Sequence, residues 1–507
     1  MTEGIEKKLR FVEEETDLVS NLPVVLQASI ISFLPGTEAV KTSVLSHHWK
    51  TVWNYSSHLN FYQRQILKPF IEARIQTYNS NKRRLRLMRH KKTLFKDVSL
   101  DAILESIAEA TMIINSIMDN HIGPLKSCNI RHLSKSCENG DVVQWMIKLL
   151  EKGVIKVSME LEYLVYDHQE INIHLKNKGV PFDLPYEVFT SFKVLELKNY
   201  HFTTEPSPNP RQVLSTLILM NVRIKANKFQ GILSHCETLE NLTLEQCDFS
   251  GDGIMIESQS LKYFRIFDMI ACKIFVYSAN IKVIEIGSIV CNHEDLVLNT
   301  PSLNALHAYN DMKKLEQHLT ARDIIEICGG ILGCQSSSMG NIFTNLITLC
   351  LDIDFTNTRN SIALSFAIKS CSQLKNLKLN NQVNMAYNGG TSDQNDNNYL
   401  PYPEVLFWQK REPCECVTYK LKYLCIKGYT GGESEFEFVK YLVLNGGVIE
   451  KIIIWFLDDC SWSEVVATMC LLSYPKLSSK LIVDLKPGVE YLEKYGSDFK
   501  KWVTTLK

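Results

Sequence analysis

Four potential metal ligands lie close together in one stretch of the sequence: His121, Cys128, His132 and Cys137. Imidazole nitrogen and thiolate sulfur are donors that zinc prefers. Zinc knuckles, however, use closely spaced ligand pairs, and neither the order nor the gaps here follow that arrangement. The surrounding segment also has the character of a helical linker. We therefore expect no metal site there, and no bound metal or cofactor in the chain.

Local motifs of catalysis are missing from the sequence. It has no G-x-x-x-x-G-K-[ST], no H-E-x-x-H, no G-x-S-x-G and no glycine-rich dinucleotide turn. Cys414 and Cys416 form a C-x-C pair, which is too strained for a disulfide and lacks nearby metal partners. We therefore expect a binding protein and not an enzyme.

The composition is that of an ordinary soluble protein. Of 507 residues, 45% are apolar and 22% are charged, and the formal net charge is -1. This balance gives no overall attraction to nucleic acid or to a membrane, and no apolar run is long enough to span one. The charged start, residues 1–17, does not resemble a secretory signal. Because 15 scattered cysteines then favour a reducing compartment, we expect the cytoplasm, the nucleus or both.

A basic run at residues 81–92, NKRRLRLMRHKK, holds seven lysines or arginines and no acidic residue. It has three interpretations: a nuclear import signal, a contact for nucleic-acid phosphate, or a solvated linker. No aromatic residue interleaves the run, which disfavours a nucleic-acid platform. The sequence leaves the other two open.

The positioning elements begin with an apolar stretch at residues 21–53. Its spacing predicts a helix whose buried face consists of Leu22, Leu26, Ile30 and Phe33. Pro35 and Gly36 end that helix, and Thr37 is placed to cap a second one. A third short helix would put Trp49 and Trp53 on one side. Three helices this short bury little surface on their own, so their apolar residues need another surface to cover them.

A repeat dominates the rest of the chain. The pattern L-x-x-L-x-L, with other apolar residues in some copies, recurs at 192–197, 214–219, 239–244, 261–266, 281–286, 303–308, 346–351, 374–379, 421–426 and 449–454, with a first copy at 154–159. The central residues of the six copies from Leu195 to Leu306 are spaced by 22, 25, 22, 20 and 22 residues. This is the period of a leucine-rich repeat, which lays down one short parallel strand per unit.

The repeats are irregular. The asparagine or cysteine that usually follows the last strand leucine by three positions is nearly absent, although Cys247 fits. We therefore expect variable return segments and no ladder of polar side chains along the loops. Two polar stretches, 329–341 and 384–398, are predicted to be exposed loops, either tolerated insertions or a lid over a ligand.

The two halves together resemble a known family. D-L-V-S-N-L-P-V-V-L, S-F-L-P and W-K-T-V-W within residues 17–53 look like an F-box, and residues 421–456 and 470–485 look like the FBD module of plant F-box proteins with leucine-rich repeats. The implied fold class is α/β: a three-helix F-box, then an irregular horseshoe-shaped solenoid that ends in the FBD. The implied boundaries are a tail (1–16), the F-box (17–60), a helical and basic linker (61–143), the repeats (144–400), the FBD module (401–490) and a second tail (491–507).

The resemblance also implies a function. In this family the F-box binds the Skp-type adaptor of a cullin-RING ubiquitin ligase, and the repeats hold the protein that is to be ubiquitinated. By position, the resemblance assigns adaptor contact to Leu22, Pro23, Leu26, Ile30, Leu34, Val44, Leu45 and Trp49. The alternative is a repeat scaffold whose degenerate F-box plays no part in ubiquitin transfer.

Strand alternation predicts where a target would bind. The residue between the two buried leucines of L-x-L points outward, as does the residue before the pair. From these positions we expect target contacts at Tyr263 and Arg265, with Glu196 and Glu285. Arginine and tyrosine are favoured because they are frequent interface anchors, and the mixed character of the surface suits a protein partner.

Overall fold

The computed structural model describes residues 19–44, 47, 49–85, 94–162, 192–202, 213–250, 253–270, 273–290, 296–309, 345–356, 358–381, 406–458 and 460–486. The chain divides into two compact units, residues 1–180 with 191–196, and residues 181–190 with 197–507. Within the described ranges, none of the helices combines the length and apolarity needed to cross a membrane. The two predicted polar loops, 329–341 and 384–398, lie outside the described residues.

The first unit begins with two helices and then alternates parallel strands with pairs of helices. Its helices are α1 (Val24–Ile31), α2 (Gly36–Lys41), α3 (Gln63–Leu85), α4 (Leu94–Asn120), α5 (Ser134–Glu138) and α6 (Asp141–Glu151), with 3-10 turns at Thr42–Val44 and Val52–Tyr55. Its strands β1 (His58–Tyr62), β2 (Ser127–Leu133) and β3 (Lys156–Glu162) pair in parallel in that order. Helices α3 and α4 connect β1 to β2, and α5 and α6 connect β2 to β3.

A buried glutamine joins the elements of this unit. The Gln63 side-chain oxygen accepts hydrogen bonds from the Leu133 backbone nitrogen at 2.8 Å and the Ser136 hydroxyl at 3.1 Å. Its amide nitrogen donates to the Thr111 hydroxyl at 3.2 Å on α4. A buried amide must satisfy both of its ends, so these contacts fix α3 and α4 against β2 and α5.

The expectation of a helical linker across residues 121–137 is wrong, because Ser127–Leu133 is a strand between β1 and β3. Alternate residues such as Cys128 and Ile130 are buried, which is the pattern of a strand with one face on the core. The alternation is short and interrupted by polar residues, so it gives a weak signal in the sequence.

The second unit is built on repeated parallel strands. Strand β4 (Val194–Lys198) straddles the division between the units. The strands that follow are β5 (Thr216–Met220), β6 (Arg223–Lys225), β7 (Asn241–Glu245), β8 (Asp248–Ser250), β9 (Ile254–Glu257), β10 (Tyr263–Ile270), β11 (Ile274–Tyr277), β12 (Val283–Val290), β13 (Leu296–Asn299), β14 (Ala305–Tyr309), β15 (Thr348–Ile353), β16 (Asn376–Asn381), β17 (Tyr423–Tyr429), β18 (Lys451–Phe456) and β19 (Ile482–Lys486). The helices are α7 (Ala226–His235), α8 (Thr358–Ser370), α9 (Glu415–Tyr419), α10 (Glu433–Asn445) and α11 (Trp462–Met469).

The register of the main sheet confirms the repeat read from the sequence. From β5 onward the sheet order is β5-β7-β10-β12-β14-β15-β16-β17-β18-β19, all parallel. The central apolar residue of each copy is the direct partner of the next: Leu217, Leu242, Phe264, Ile284, Leu306, Leu349, Leu377, Leu424 and Ile452. Each is at most 1% exposed, so these residues form one continuous apolar row.

The return segments vary, as expected. Helices α7, α8, α10 and α11 lie on some returns, while β9, β11 and β13 pair as a small parallel sheet on others. Polar side chains are nevertheless present one position before the usual place of the ladder. Four polar residues just after the L-x-L pairs adopt left-handed backbone, Asn199, Asn221, Gln246 and Asp268, with φ of 67°, 51°, 53° and 49°.

These four residues bond in pairs along the strand ends. The Asn221 side-chain nitrogen donates to the Asn199 oxygen at 2.6 Å, and Gln246 donates to Asp268 at 2.9 Å. They lie one residue before the position, three after the last strand leucine, where the repeat usually has asparagine or cysteine. Asparagine and aspartate tolerate left-handed backbone better than most residues do. The residue that follows each of these four is buried: Tyr200, Val222, Cys247 and Met269.

Because of the stacked apolar row, mutations on the two faces of one strand should differ greatly in how much they destabilise the protein. Leu242→Ala should lower the free energy of unfolding by about 2–5 kcal/mol, since it empties a fully buried site between Leu217 and Phe264. The matched control is Thr243→Ala, which should cost less than about 1 kcal/mol because Thr243 points away from that row. Thermal unfolding followed by circular dichroism measures both. Equal losses would contradict the assignment of the faces.

Candidate interaction surfaces

The first candidate surface is the N-terminal apolar face, defined by the exposed side chains of Val24, Val25, Leu26, Ile30, Phe33, Leu34 and Val44. Leu26 and Ile30 are 50% and 48% exposed, and Phe33 and Val44 are 85% and 84% exposed. The helix predicted from the spacing is present as α1. Of the four residues predicted to form its apolar face, Leu26, Ile30 and Phe33 are exposed and Leu22 is half-buried, so the described residues leave this face largely uncovered.

The reason lies in what α1 turns inward. Gln27, Ala28 and Ile31 are the buried residues of the helix, which packs against the 3-10 turn Val52–Tyr55. The Gln27 amide nitrogen donates to the backbone oxygens of Val19 at 3.1 Å and Ser20 at 2.9 Å. A polar residue therefore anchors the inner side, and the more apolar side of α1 faces solvent. The spacing of apolar residues predicts that a helix has an apolar face, but it does not predict which surface covers that face.

The next turn of the chain also differs from the prediction. Helix α2 begins at Gly36 after Pro35 and has no side-chain cap from Thr37. A side-chain carbon at Gly36 would lie 3.1 Å from the Phe61 ring, so the glycine allows α2 to approach β1 closely.

The residues assigned to adaptor contact differ in their exposure. Five are exposed: Pro23, Leu26, Ile30, Leu34 and Val44. Leu22 is half-buried, and Leu45 lies outside the described residues. Trp49 is 7% exposed, and its indole nitrogen donates to the Ser20 hydroxyl at 2.8 Å. Trp49 therefore holds the helices together from inside.

The second candidate surface is the β10–β14 cluster, which lies on the sheet face opposite the apolar row and comprises Tyr263, Arg265, Phe267, Glu285, His307 and Tyr309. An Arg265 Nη1 atom lies 3.4 Å from one Glu285 carboxylate oxygen, and His307 Nδ1 lies 3.4 Å from the other. The guanidinium of Arg265 sits 4.3 Å from the centre of the Phe267 ring. The carboxylate of Glu285 therefore joins three neighbouring strands.

Aromatic contacts extend the cluster. The rings of Phe267 and Tyr309 have centroids 5.7 Å apart, and the Tyr309 hydroxyl lies 3.3 Å from His307 Nδ1. Gly287 lies between them, where a side-chain carbon would be 2.5 Å from the Phe267 ring. Glycine at this position leaves room for the two rings to meet across the strand.

The cluster carries balanced charge. Burial lowers the pKa of His307, and the attraction of Glu285 opposes that shift. Burial and the nearby Glu285 carboxylate raise the pKa of Tyr309 to about 12, which keeps its hydroxyl protonated. The cluster places one arginine and one glutamate beside three aromatic rings. This amphipathic surface has the residue types of a protein interface and not of a polyanion site.

Three of the four residues expected to contact a target, Tyr263, Arg265 and Glu285, lie together in the cluster. Glu196 belongs to the first unit and is not among them. Phe267 and Tyr309 were missed. The sequence pattern could have identified them. Strands β10 and β14 extend beyond the L-x-L pair, so the next alternate residue of each strand also points outward.

The four potential zinc ligands are all buried. His121 Nε2 bonds to the Ser56 backbone oxygen at 2.7 Å, and burial lowers the pKa of His132 to about 4. The His132 Nδ1 atom lies 3.8 Å from the Cys137 sulfur, and burial raises the pKa of the Cys128 thiol. In the part of the chain that the structure describes, no group of three or more side chains is arranged to hold a metal ion.

Comparison with known proteins matches two segments of the chain. A family model described as "FBD-associated F-box protein At5g56370, LRR repeats" matches residues 165–312, and one described as "FBD" matches residues 409–454. The chain is therefore similar to plant F-box/FBD/leucine-rich-repeat proteins. The resemblance inferred from the sequence is confirmed.

Individual relatives extend the likeness along most of the chain. The Arabidopsis thaliana "F-box protein At1g80960" is 23% identical over 461 residues, which cover 87% of this chain and 84% of that protein. A second Arabidopsis thaliana protein, named as F-box/LRR-repeat protein At3g42770, is 24% identical over 500 residues, with 93% and 81% coverage.

The FBD segment contains a tightly bonded turn. Gly428 and Gly431 adopt positive φ of 70° and 84° before α10. One carboxylate oxygen of Glu435 accepts hydrogen bonds from the Thr430 nitrogen and hydroxyl at 2.9 Å each, the Gly431 nitrogen at 2.9 Å and the Gly432 nitrogen at 3.1 Å. The other oxygen accepts from the Asn381 amide. Glu435 therefore fixes the start of α10 against the end of β16.

This turn predicts a pH dependence of stability. Burial raises the pKa of Glu435 from 4.5 to about 7, although the hydrogen bonds oppose the shift. The folded state then binds this proton more tightly than the unfolded chain, so stability from this group is full below about pH 4.5 and is lost as the pH rises through about 7. The loss has an upper limit of about 1.4 kcal/mol per pH unit.

The matched comparison is with Glu435→Gln, which removes the titration, and Glu433→Gln, which changes an exposed glutamate at the start of the same helix. Urea unfolding across this pH window should show the fall in wild type and in Glu433→Gln, and a smaller fall in Glu435→Gln. Parallel pH profiles for all three proteins would contradict the prediction.

Proposed function

We propose that this chain is the substrate-receptor subunit of a Skp-cullin-F-box ubiquitin ligase. In this proposal residues 17–60 form the F-box and bind the Skp-type adaptor, and through it a cullin, while a horseshoe of repeats holds a protein target. The observation that carries the proposal is the N-terminal apolar face, which exposes seven apolar side chains within residues 24–44. The names of the relatives support it. Ubiquitin transfer would be performed by other subunits, so the chain itself is not an enzyme.

The physical case rests on the cost of exposed apolar surface. Burying such surface gains roughly 25 cal/mol per Å², and contiguous exposed patches commonly mark interaction sites. The inner side of α1 is already occupied by Gln27, Ala28 and Ile31, and the described residues of the chain leave the outer side exposed. A partner with an apolar groove would complete the core.

The two candidate surfaces suit different partners. The N-terminal apolar face presents aliphatic side chains, which fits a constant partner bound mainly by apolar burial. The β10–β14 cluster presents Arg265, Glu285 and aromatic rings, which fits selective recognition of a target by charge and shape. One chain would thus bring target and ligase together.

The location follows from the proposed role. A ligase receptor of this type acts in the cytoplasm, the nucleus or both. The side chains of the basic run at residues 81–92 lie outside the described part of the chain, so its role as an import signal stays a prediction.

The first prediction of the proposal concerns adaptor binding. Leu26→Ala with Ile30→Ala should weaken binding of a purified Skp-type adaptor on the order of 100-fold, because central interface anchors cost more than about 1–2 kcal/mol each. Isothermal titration calorimetry measures the affinity. The control is Met112→Ala with Ile122→Ala, which truncates two other exposed apolar residues of the same unit.

The control should bind as wild type does. Adaptor affinity that is equal in the two double variants would contradict the proposed F-box surface. Failure of the wild-type chain to bind any Skp-type adaptor would instead favour the interaction scaffold without a role in ubiquitin transfer.

The second prediction concerns the target. Tyr263→Ala with Arg265→Ala should lose the proteins captured in proteasome-inhibited cells while it keeps the adaptor, because it removes the centre of the β10–β14 cluster. The control is Tyr277→Ala with Lys273→Ala, which removes a tyrosine at the end of β11 and a positive charge just before that strand. Quantitative mass spectrometry compares the captured proteins. A folded Tyr263/Arg265 variant that retains every wild-type partner would place the target site elsewhere.

A further inference from the structure

A second, differently charged surface lies on the same sheet face at the FBD end. We call it the basic face: the outward side chains of Lys378 on β16, Lys427 on β17, Lys451 on β18 and Lys486 on β19, with Cys425 and Trp455 between them. The buried residues of these strands alternate with the outward ones, so the lysines share one side of the sheet.

The register brings the lysines together. Lys378 pairs with Cys425 across β16 and β17. Lys427 pairs with Trp455, which in turn pairs with Lys486. Trp455 is 40% exposed, and the Lys486 ammonium lies 4.9 Å from the centre of its ring. An exposed tryptophan therefore lies between two lysines in one row of the sheet.

The charges of the basic face are only partly compensated. One carboxylate, Asp484, serves both Lys451 at 3.4 Å and Lys486 at 3.8 Å. Lys378 and Lys427 are exposed and have no ion-pair partner among the described residues. On the neighbouring strand, Asp352 is buried and accepts a hydrogen bond from Asn380 at 2.7 Å.

The pKa of the Cys425 thiol is affected by the same lysines. Burial raises its pKa, and Lys427, Lys378 and Lys486 all oppose that shift. Three ammonium groups on three strands are therefore close enough to act on one sulfur atom.

Folding alone does not explain this arrangement. Like charges on adjacent strands destabilise a sheet, and exposed lysines without partners add no compensating contact. The whole chain has a net charge of only -1, and the β10–β14 cluster balances its arginine with a glutamate. Among the described residues of β16 to β19, four outward lysines face one carboxylate, Asp484, and the nearby Asp352 on β15 is buried and bonded to Asn380. This excess of positive charge favours a negatively charged ligand.

The extent of the basic face indicates the kind of ligand. Strands β16 to β19 span about 14 Å, since neighbouring strands lie about 4.8 Å apart. This is longer than one phosphate or carboxylate group and matches a short stretch of peptide. Trp455 and the half-buried Ile453 add an apolar contact in the middle, whereas a nucleic-acid platform would present several stacking aromatics.

We propose that the basic face binds an acidic segment of the target protein, with carboxylates near Lys378 and Lys427 and an apolar side chain against Trp455. This inference rests on the proposed function, because it names the chemistry of the target that the repeats would hold. It predicts that binding weakens as salt rises, as expected for exposed charge pairs.

The test uses the full chain and a fluorescein-labelled peptide of six glutamates around one leucine, followed by fluorescence anisotropy. Lys378→Gln with Lys427→Gln should weaken binding about tenfold or more, since it removes the two uncompensated charges. The matched control is Lys282→Gln with Lys375→Gln, which removes two exposed lysines from the starts of strands and leaves the basic face intact. The control should change affinity less than about twofold. Circular dichroism confirms folding of both variants.

Three outcomes would overturn the inference: no binding to the wild-type chain, equal losses in the two double variants, or binding insensitive to salt. Tighter binding of a uridine oligonucleotide through the same two lysines would assign the face to nucleic acid instead. Adaptor affinity, measured on the same samples, separates this inference from the proposed function. Loss of peptide binding with adaptor binding intact overturns only the acidic-target inference.

Discussion

The row of buried side chains along the parallel sheet is the interaction on which the second unit depends. Each strand contributes one central apolar residue, such as Leu242 or Phe264, and that residue is covered by its partners on the strands to either side. One repeat buries too little apolar surface to offset the entropy of ordering some twenty residues, so the strands are stable only when they are stacked. The outward residues of the same strands lie on the opposite face from this core, and some of them form the β10–β14 cluster and the basic face.

At the N-terminal end of the first unit, in contrast, apolar side chains are exposed. Helix α1 uses Gln27 and its backbone hydrogen bonds to attach to the unit and leaves its apolar side exposed. The buried Trp49 donates a hydrogen bond to the Ser20 hydroxyl on the inner side of these helices. The N-terminal apolar face therefore has the properties of an incomplete core, and the proposed adaptor would complete it. In this account the sheet presents the target and the helices attach the whole chain to the ligase.

The repeat and its outward positions could be predicted from the sequence because they depend on strand alternation and a fixed period. Arg265 and Glu285 were placed correctly on one surface for that reason. Features that depend on where an element packs were not predictable. The sequence showed that α1 has an apolar face, but a neighbour decides which side is covered. Strand β2 was missed because its pattern is short, and the residues with left-handed backbone, such as Asn221, were missed because they lie one position before the usual one.

The central claim is that a partner completes the N-terminal apolar face. Hydrogen–deuterium exchange of the full chain with and without a purified Skp-type adaptor tests it most directly. Exchange should slow across Val24–Ile31 and Gly36–Lys41 when the adaptor binds, while β10, β12 and β14 remain unchanged. Unchanged exchange in the two helices under conditions where the adaptor is bound, or protection confined to the repeats, would contradict the account.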